Sequence, residues 1–200
     1  MKEFNNIDDS HNYLVNKIKE EGYQIQDERN DTVTSIPFIT IKFKNFMKSY
    51  QNIFWVDYPK SSILNESGLQ EYAQQLQNKE KGTFCYTYGN RFRAYFGYDQ
   101  FLILIDKLKN NKNSRRAVSY TYDVKNDSFN EEIPCLQMIQ LQIYDNKLFM
   151  TVYFRSNDIT FAYSSNMYGL MELYKFFMME LHLDLGELYY VCSNPHIKEV

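Results

Sequence analysis

The residues of this sequence best suited to chemistry are one cysteine and a set of arginines spread along its second half. Cys135 follows Pro134 and heads the apolar run LQMIQLQIY. By itself such a cysteine reads as a small core hydrophobe, since free cysteine is among the most buried residue types. The segment Arg155-Ser156-Asn157-Asp158 changes that reading. Residues 135 to 144 and 147 to 155 have the pattern of strands, and Asp145-Asn146 supplies a tight turn between them. The resulting hairpin brings Cys135 and Arg155 together at its open end. A guanidinium there is expected to lower the thiol pKa and to hold an anion beside it. Ser114-Arg115-Arg116 enters a further strand over 116 to 123 and adds two fixed cations. A thiol, three arginines and a serine are thus expected to converge on strand ends, which suits nucleophilic attack on an anionic substrate.

Several elements must position these groups. Ser10 reads as the cap of a short amphipathic helix that Gly22 ends. Within 36 to 47, Ile39, Ile41 and Phe43 alternate with Thr40, Lys42 and Lys44, the period of a half-buried strand. Helices are expected over 68 to 78 and 98 to 109. A long apolar-aromatic helix from Ser165 to Leu183 places Leu170, Leu173, Phe177 and Leu181 on one face, as a buried central helix would. ELYYVCS after Gly186 reads as a last strand. Cys85 and Cys192 lie in apolar strand-like runs and are expected in the core, with His11 and His182 on helix surfaces. Without repeats or Gly/Pro/Ser linkers, one α+β domain over 1–200 is the economical reading.

Composition narrows the partners. The formal net charge of -3 argues against bulk nucleic-acid binding, although it permits a local arginine cluster for one phosphate. No run is long enough to cross a membrane, and the N-terminal residues are polar, unlike a signal peptide. The three cysteines, Cys85, Cys135 and Cys192, match neither a disulfide framework nor a zinc ligand set, so no metal is expected and a reducing cytoplasm is.

Taken together, these segments resemble the thymidylate synthase and deoxycytidylate hydroxymethylase superfamily. Pro134-Cys135-Leu136-Gln137-Met138 is similar to its nucleophile strand. Arg155-Ser156-Asn157-Asp158, with Asn166 following, resembles its phosphate- and base-recognition segment. Ser114-Arg115-Arg116 resembles the double arginine that a partner subunit contributes, and Tyr86-Thr87-Tyr88-Gly89 the tyrosine-glycine motif. His196 stands where the family has a histidine near the sugar, and Asp27-Glu28-Arg29 resembles an early phosphate-binding loop. The compact length and the wording of these motifs are nearest to the short archaeal-type thymidylate synthases.

The resemblance implies a thymidylate synthase-like fold, a mixed β-sheet packed by a long buried helix, with a sheet face forming a homodimer. It implies addition of the Cys135 thiolate to carbon 6 of a uracil nucleoside monophosphate, dUMP. Carbon 5 then takes a one-carbon unit from methylene-tetrahydrofolate or a methanopterin-like reduced pterin. Arg155, Ser156, Arg115, Arg116 and Arg29 would bind the phosphate, with the arginine pair crossing the dimer. Tyr88 would lie near the pyrimidine, His196 near the sugar and Asp158 near the pterin. Asn166 favours uracil, because an amide donates to a carbonyl and accepts from a ring N–H at once; its other reading is a helix cap. Lys198 replaces a usual tyrosine, and Glu66 or Glu71 is the substitute for the family's catalytic glutamate. Two alternatives stay open: a pyrimidine nucleotide 5-hydroxymethylase, and a nucleotide-binding homologue without turnover.

Overall fold

A computed structural model describes residues 1–198. The elements in chain order are β1 (Lys2–Phe4), α1 (Ile7–Glu21), β2 (Tyr23–Gln26), β3 (Thr32–Ser35), β4 (Ile39–Phe43), β5 (Lys48–Tyr50) and β6 (Ile53–Trp55). Next come α2 (Glu66–Gln77), α3 (Tyr88–Asn90), a π-helical turn (Arg91–Tyr95), α4 (Gln100–Asn110), β7 (Val118–Tyr120) and α5 (Val124–Asp127). The chain continues with β8 (Leu136–Tyr144), β9 (Lys147–Phe154), β10 (Asn157–Asp158), α6 (Tyr163–Glu180), β11 (Asp184–Cys192) and β12 (Pro195–Lys198). A six-stranded mixed sheet has the order β1-β4-β11-β9-β8-β7, and a second sheet runs β10-β12-β3-β2. The architecture is α+β with mixed sheets.

The β8–β9 hairpin is set by its turn. Asp145 and Asn146 take φ of 49° and 58°, a left-handed pair that short polar side chains tolerate and that matches strand twist. The register that follows pairs Tyr144 with Lys147 and Leu136 with Phe154. Leu136, Ile139, Leu141, Met150, Val152 and Phe154 are all fully buried, on one face of the hairpin. Burial of α6 is nearly complete around its first half, from Tyr163 to Met171, rather than along one stripe. That explains why the helix begins two residues ahead of Ser165: Tyr163 is itself a core residue, bonded to Ser10 Oγ at 2.8 Å.

Ser10 is therefore not the cap of α1. The cap is Asn6, whose side chain accepts from Asp9 N–H at 2.8 Å, and the helix starts at Ile7. His11 is not a surface residue either. It is half-buried, at helical spacing from Ile7, Leu14 and Ile18, and neither of its buried ring nitrogens has a hydrogen-bond partner among the described residues. His182 is exposed but sits beyond α6, in a turn with φ of 53°. Cys192 is buried as expected, whereas Cys85 is exposed, because the segment before α3 is an irregular loop rather than a strand.

Gly89 fixes the approach of α3 to α2. A Cβ there would lie 2.2 Å from Gln75 O and 2.4 Å from Asn78 O, both backbone atoms that cannot turn aside. Gly89→Ala is accordingly expected to destabilise the fold by about 1–3 kcal/mol, the range for forced overpacking. Urea unfolding checks this; unchanged stability would show that α3 does not pack so closely.

Candidate active site

Cys135 stands one residue before β8. Its carbonyl accepts Arg155 N–H at 2.9 Å, so the hairpin pairs one step beyond the strand. The Arg155 side chain then folds back over the approach to the cysteine. Nε donates to Pro134 O at 3.2 Å and Nη2 to Ile133 O at 3.0 Å. The guanidinium thus clamps the two residues ahead of Cys135 as well as lying beside its thiol.

The thiol is half-buried, and burial pushes its pKa up; Arg155 and Arg29 pull it down, and Glu132 pushes it up. Arg155 lowers the thiol pKa as expected, but burial outweighs it and the net direction is up. The physical reason is that a desolvated thiolate loses its water while one of the two cations, Arg29, is exposed and already paired with Glu132 at 2.5 Å. Because only the thiolate alkylates, the iodoacetamide rate at Cys135 should still be rising at pH values where a free cysteine has levelled off. Arg155→Ala should move that profile further up. A profile at or below that of a free cysteine would contradict the burial. Measuring it requires peptide mapping, since Cys85 is exposed and reacts independently.

Three tyrosines surround the thiol. Tyr88, at the start of α3, accepts Leu136 N–H on its hydroxyl at 3.3 Å. Tyr86 reaches Ile133 O at 3.4 Å, and the two rings lie 5.9 Å apart. Tyr72 projects from α2 and is within electrostatic range of Cys135, Tyr86 and Tyr88. Burial, then the neighbouring Cys135, holds the Tyr86 hydroxyl up to about 12, and burial also raises Tyr72 and Tyr88 well above the ordinary phenol value. All three remain protonated donors through the neutral range. Behind Tyr88 the π-helical turn is anchored by Arg91, buried and paired with Asp127 at 2.8 Å and 3.0 Å, its guanidinium 4.0 Å from the Tyr95 ring centre. That buried fork ties the tyrosine segment to the loop leading into Pro134 and Cys135.

Asn166 is not a helix cap. Ala162 holds the cap position of α6 without a side-chain bond, and Asn166 N–H is already bonded to Ala162 O. Its buried amide accepts from Tyr72 Oη at 2.5 Å and donates to Asn157 Oδ1 at 3.1 Å. Asn157 Nδ2 in turn donates to Tyr190 Oη at 3.1 Å.

Next to this cluster the parallel pair β10–β12 sets Asp158 level with His196. Ser156 Oγ donates to Asn194 O at 3.2 Å and lies 3.3 Å from His196 Nδ1. Asp158 accepts Phe161 N–H at 3.0 Å, and Lys198 is paired with Asp31 at 2.7 Å. Glu66 and Glu71 are both exposed on α2, and the residue of that helix bonded to Asn166 is Tyr72.

Arg115 and Arg116 do not converge on the thiol of their own chain. Ala117 O accepts Leu141 N–H at 2.9 Å, and Leu141 lies six residues along β8 from Cys135, about 20 Å at ~3.3 Å per residue. Antiparallel pairing of β7 to β8 sends the arginines away from the thiol end of β8. Both are exposed, and neither forms a salt bridge among the described residues. The described residues also contain no group of three His, Cys, Asp or Glu able to hold a metal.

Tyr72 and Asn157 are the parts of the cluster that the sequence reading did not single out. A signal existed for Tyr72: it sits beside Leu69, Ala73 and Leu76 on the buried side of α2, where a phenol needs a partner.

The half-buried thiol thus stands at the hairpin mouth among phenols and amides, and the comparisons give the family. A family model described as thymidylate synthase matches residues 10–199. This chain belongs to the thymidylate synthase family. Proteins named "Putative thymidylate synthase" resemble it along most of its length. That of Methanothermobacter marburgensis is 32% identical over 195 residues, covering 94% of this chain and 87% of its own. That of Methanococcoides burtonii is 34% identical over 185 residues, covering 92% and 82%. That of Methanopyrus kandleri is 35% identical over 144 residues, covering 72% and 69%. The family binds dUMP and uses a reduced-folate co-substrate.

Proposed function

We propose that this protein transfers a one-carbon unit from a methylene-carrying reduced pterin to carbon 5 of dUMP, giving dTMP, through a covalent adduct of Cys135 at carbon 6. The observation that carries this reading is the half-buried Cys135 thiol beside Arg155, enclosed by the phenols of Tyr72, Tyr86 and Tyr88. The thiolate forms a bond to carbon 6, and the displaced π electrons make carbon 5 nucleophilic. Carbon 5 bonds to the methylene group, which at first stays on the pterin nitrogen. Loss of the carbon 5 proton expels that nitrogen and leaves an exocyclic methylene with Cys135 still on carbon 6; hydride from the reduced pterin then adds to the methylene, the ring double bond re-forms and the thiolate leaves. The pterin departs oxidised by two electrons.

In this assignment Arg155 and Ser156 grip the phosphate, joined by Arg29 and by Arg115 and Arg116 of the other protomer. Tyr88 lies at the pyrimidine, Asn166 reads its edge, His196 serves the sugar and Asp158 the pterin, whether tetrahydrofolate or methanopterin-like. The 200 residues act as one domain in a homodimer in the cytoplasm. Support for the dimer comes from the outer face of the sheet, where Tyr120, Met138 and Tyr153 of three adjacent strands line an apolar hollow of about 520 Å³ with Phe96 and Tyr98. No described helix is long and apolar enough to cross a membrane.

Release of tritium from carbon 5 of labelled dUMP tests the reaction. Release with dTMP as product is the expected result. Release with 5-hydroxymethyl product would replace it with the hydroxymethylase reading, and dUMP binding without release with the non-catalytic one.

A further inference from the structure

The choice between uracil and cytosine is not made by Asn166 alone. Uracil offers an acceptor at position 4 and a donor at N3; cytosine offers a donor at position 4 and an acceptor at N3. An amide with Nδ2 toward position 4 matches uracil, and the same amide turned over matches cytosine. Whatever fixes the amide's rotation therefore fixes the base.

Both ends of the Asn166 amide are held. Oδ1 accepts from Tyr72 and Nδ2 donates to Asn157, which leaves one lone pair and one hydrogen for a ligand. The chain of bonds continues from Asn157 Nδ2 to the Tyr190 hydroxyl. In this direction the Tyr72 phenolic proton has its acceptor in Asn166 Oδ1. If both amides turned over, Tyr190 could donate to Asn157 instead. Tyr72 could not follow, because Asn166 Oδ1 is the acceptor its hydroxyl has among the described residues. Its buried proton would be left unmatched.

We infer that Tyr72 is a positioning residue that sets base specificity, fixing the rotation of the Asn166 amide by donating its phenolic proton to Oδ1. The inference rests on the proposed reading of the site as one for a pyrimidine nucleotide. Burial raises the Tyr72 phenol pKa, so the donor is present through the neutral range. In this role Tyr72 acts on the base through Asn166.

Affinities for dUMP and dCMP, measured by titration calorimetry on the full chain, test it. The unaltered protein should prefer dUMP. In Tyr72→Phe, which removes one oxygen, either rotation leaves one amide end unmatched, so the ratio should fall by about ten-fold or more, the size of one mismatched buried hydrogen bond. Most of the change should be a gain in dCMP binding. Asn157→Leu breaks the same chain of bonds on the other side and leaves Tyr72 in place; its ratio should stay near that of the unaltered protein. An unchanged ratio in Tyr72→Phe, or an equal collapse in Asn157→Leu, would overturn the inference. The second variant decides the matter if the first does not fold. Failure of the unaltered protein to bind either nucleotide would instead overturn the proposed function, and the inference with it.

Discussion

Cys135→Ser is expected to lose turnover by about a thousand-fold or more while binding dUMP about as tightly as the unaltered chain. Serine is close to cysteine in size, and among the described residues no hydrogen bond of Cys135 Sγ holds the site together: the local geometry rests on the backbone bond from Arg155 and on its guanidinium. The loss falls on the chemical step alone. A hydroxyl ionises far less readily than a thiol, and the burial that already disfavours the thiolate at this position disfavours an alkoxide more. Steady-state turnover with calorimetric dUMP binding separates the two effects. Turnover retained in the serine variant would remove Cys135 from the nucleophile's role.

The second large effect concerns the arginine pair. Within one chain, the pairing of Ala117 with Leu141 sends Arg115 and Arg116 to the far end of β8 from Cys135. Their guanidinium groups are exposed and without salt bridges among the described residues. If they complete the phosphate site of a second protomer, Arg115→Ala/Arg116→Ala should be nearly inactive, having lost two charged contacts at roughly 1.5–3 kcal/mol each. The chain carrying Cys135→Ser should be equally inactive. Refolded together, the two should regain activity, because one site of each mixed dimer combines an intact thiol with intact arginines. Confirmed mixed dimers without recovery would show that the arginines serve no neighbouring site.

Much of the site was legible in the order of residues because hairpins are local. Two residues able to adopt positive φ, Asp145 and Asn146, fix the register, and the register carries Arg155 to Cys135. What escaped was set by contacts distant in sequence. The second sheet is built from strands of two to four residues, too short for alternation to declare itself, and β10 and β12 pair in parallel across α6 and β11. Convergence of Arg115 and Arg116 on the thiol was the wrong inference because strand ends were grouped without their direction. β7 runs antiparallel to β8, its start Val118 pairs with Gln140 at the middle of β8, and the residues ahead of it therefore run away from Cys135. The effect of Arg155 on the thiol was legible, since it does pull the pKa down; the loss of water that outweighs it was not. His11 could have been placed correctly, since its spacing from Ile7, Leu14 and Ile18 already put it on the buried face.

The most direct test of a covalent Cys135 adduct uses 5-fluoro-dUMP with a methylene-carrying reduced pterin. Fluorine at carbon 5 cannot leave as a proton does, so the reaction should stop with nucleotide, pterin and protein joined. Intact-mass measurement should show both added to the chain, and peptide mapping should place them on the peptide containing Cys135. No added mass under conditions where dUMP turns over, or an adduct on Cys85 or Cys192 instead, would contradict the assignment of Cys135 as the nucleophile.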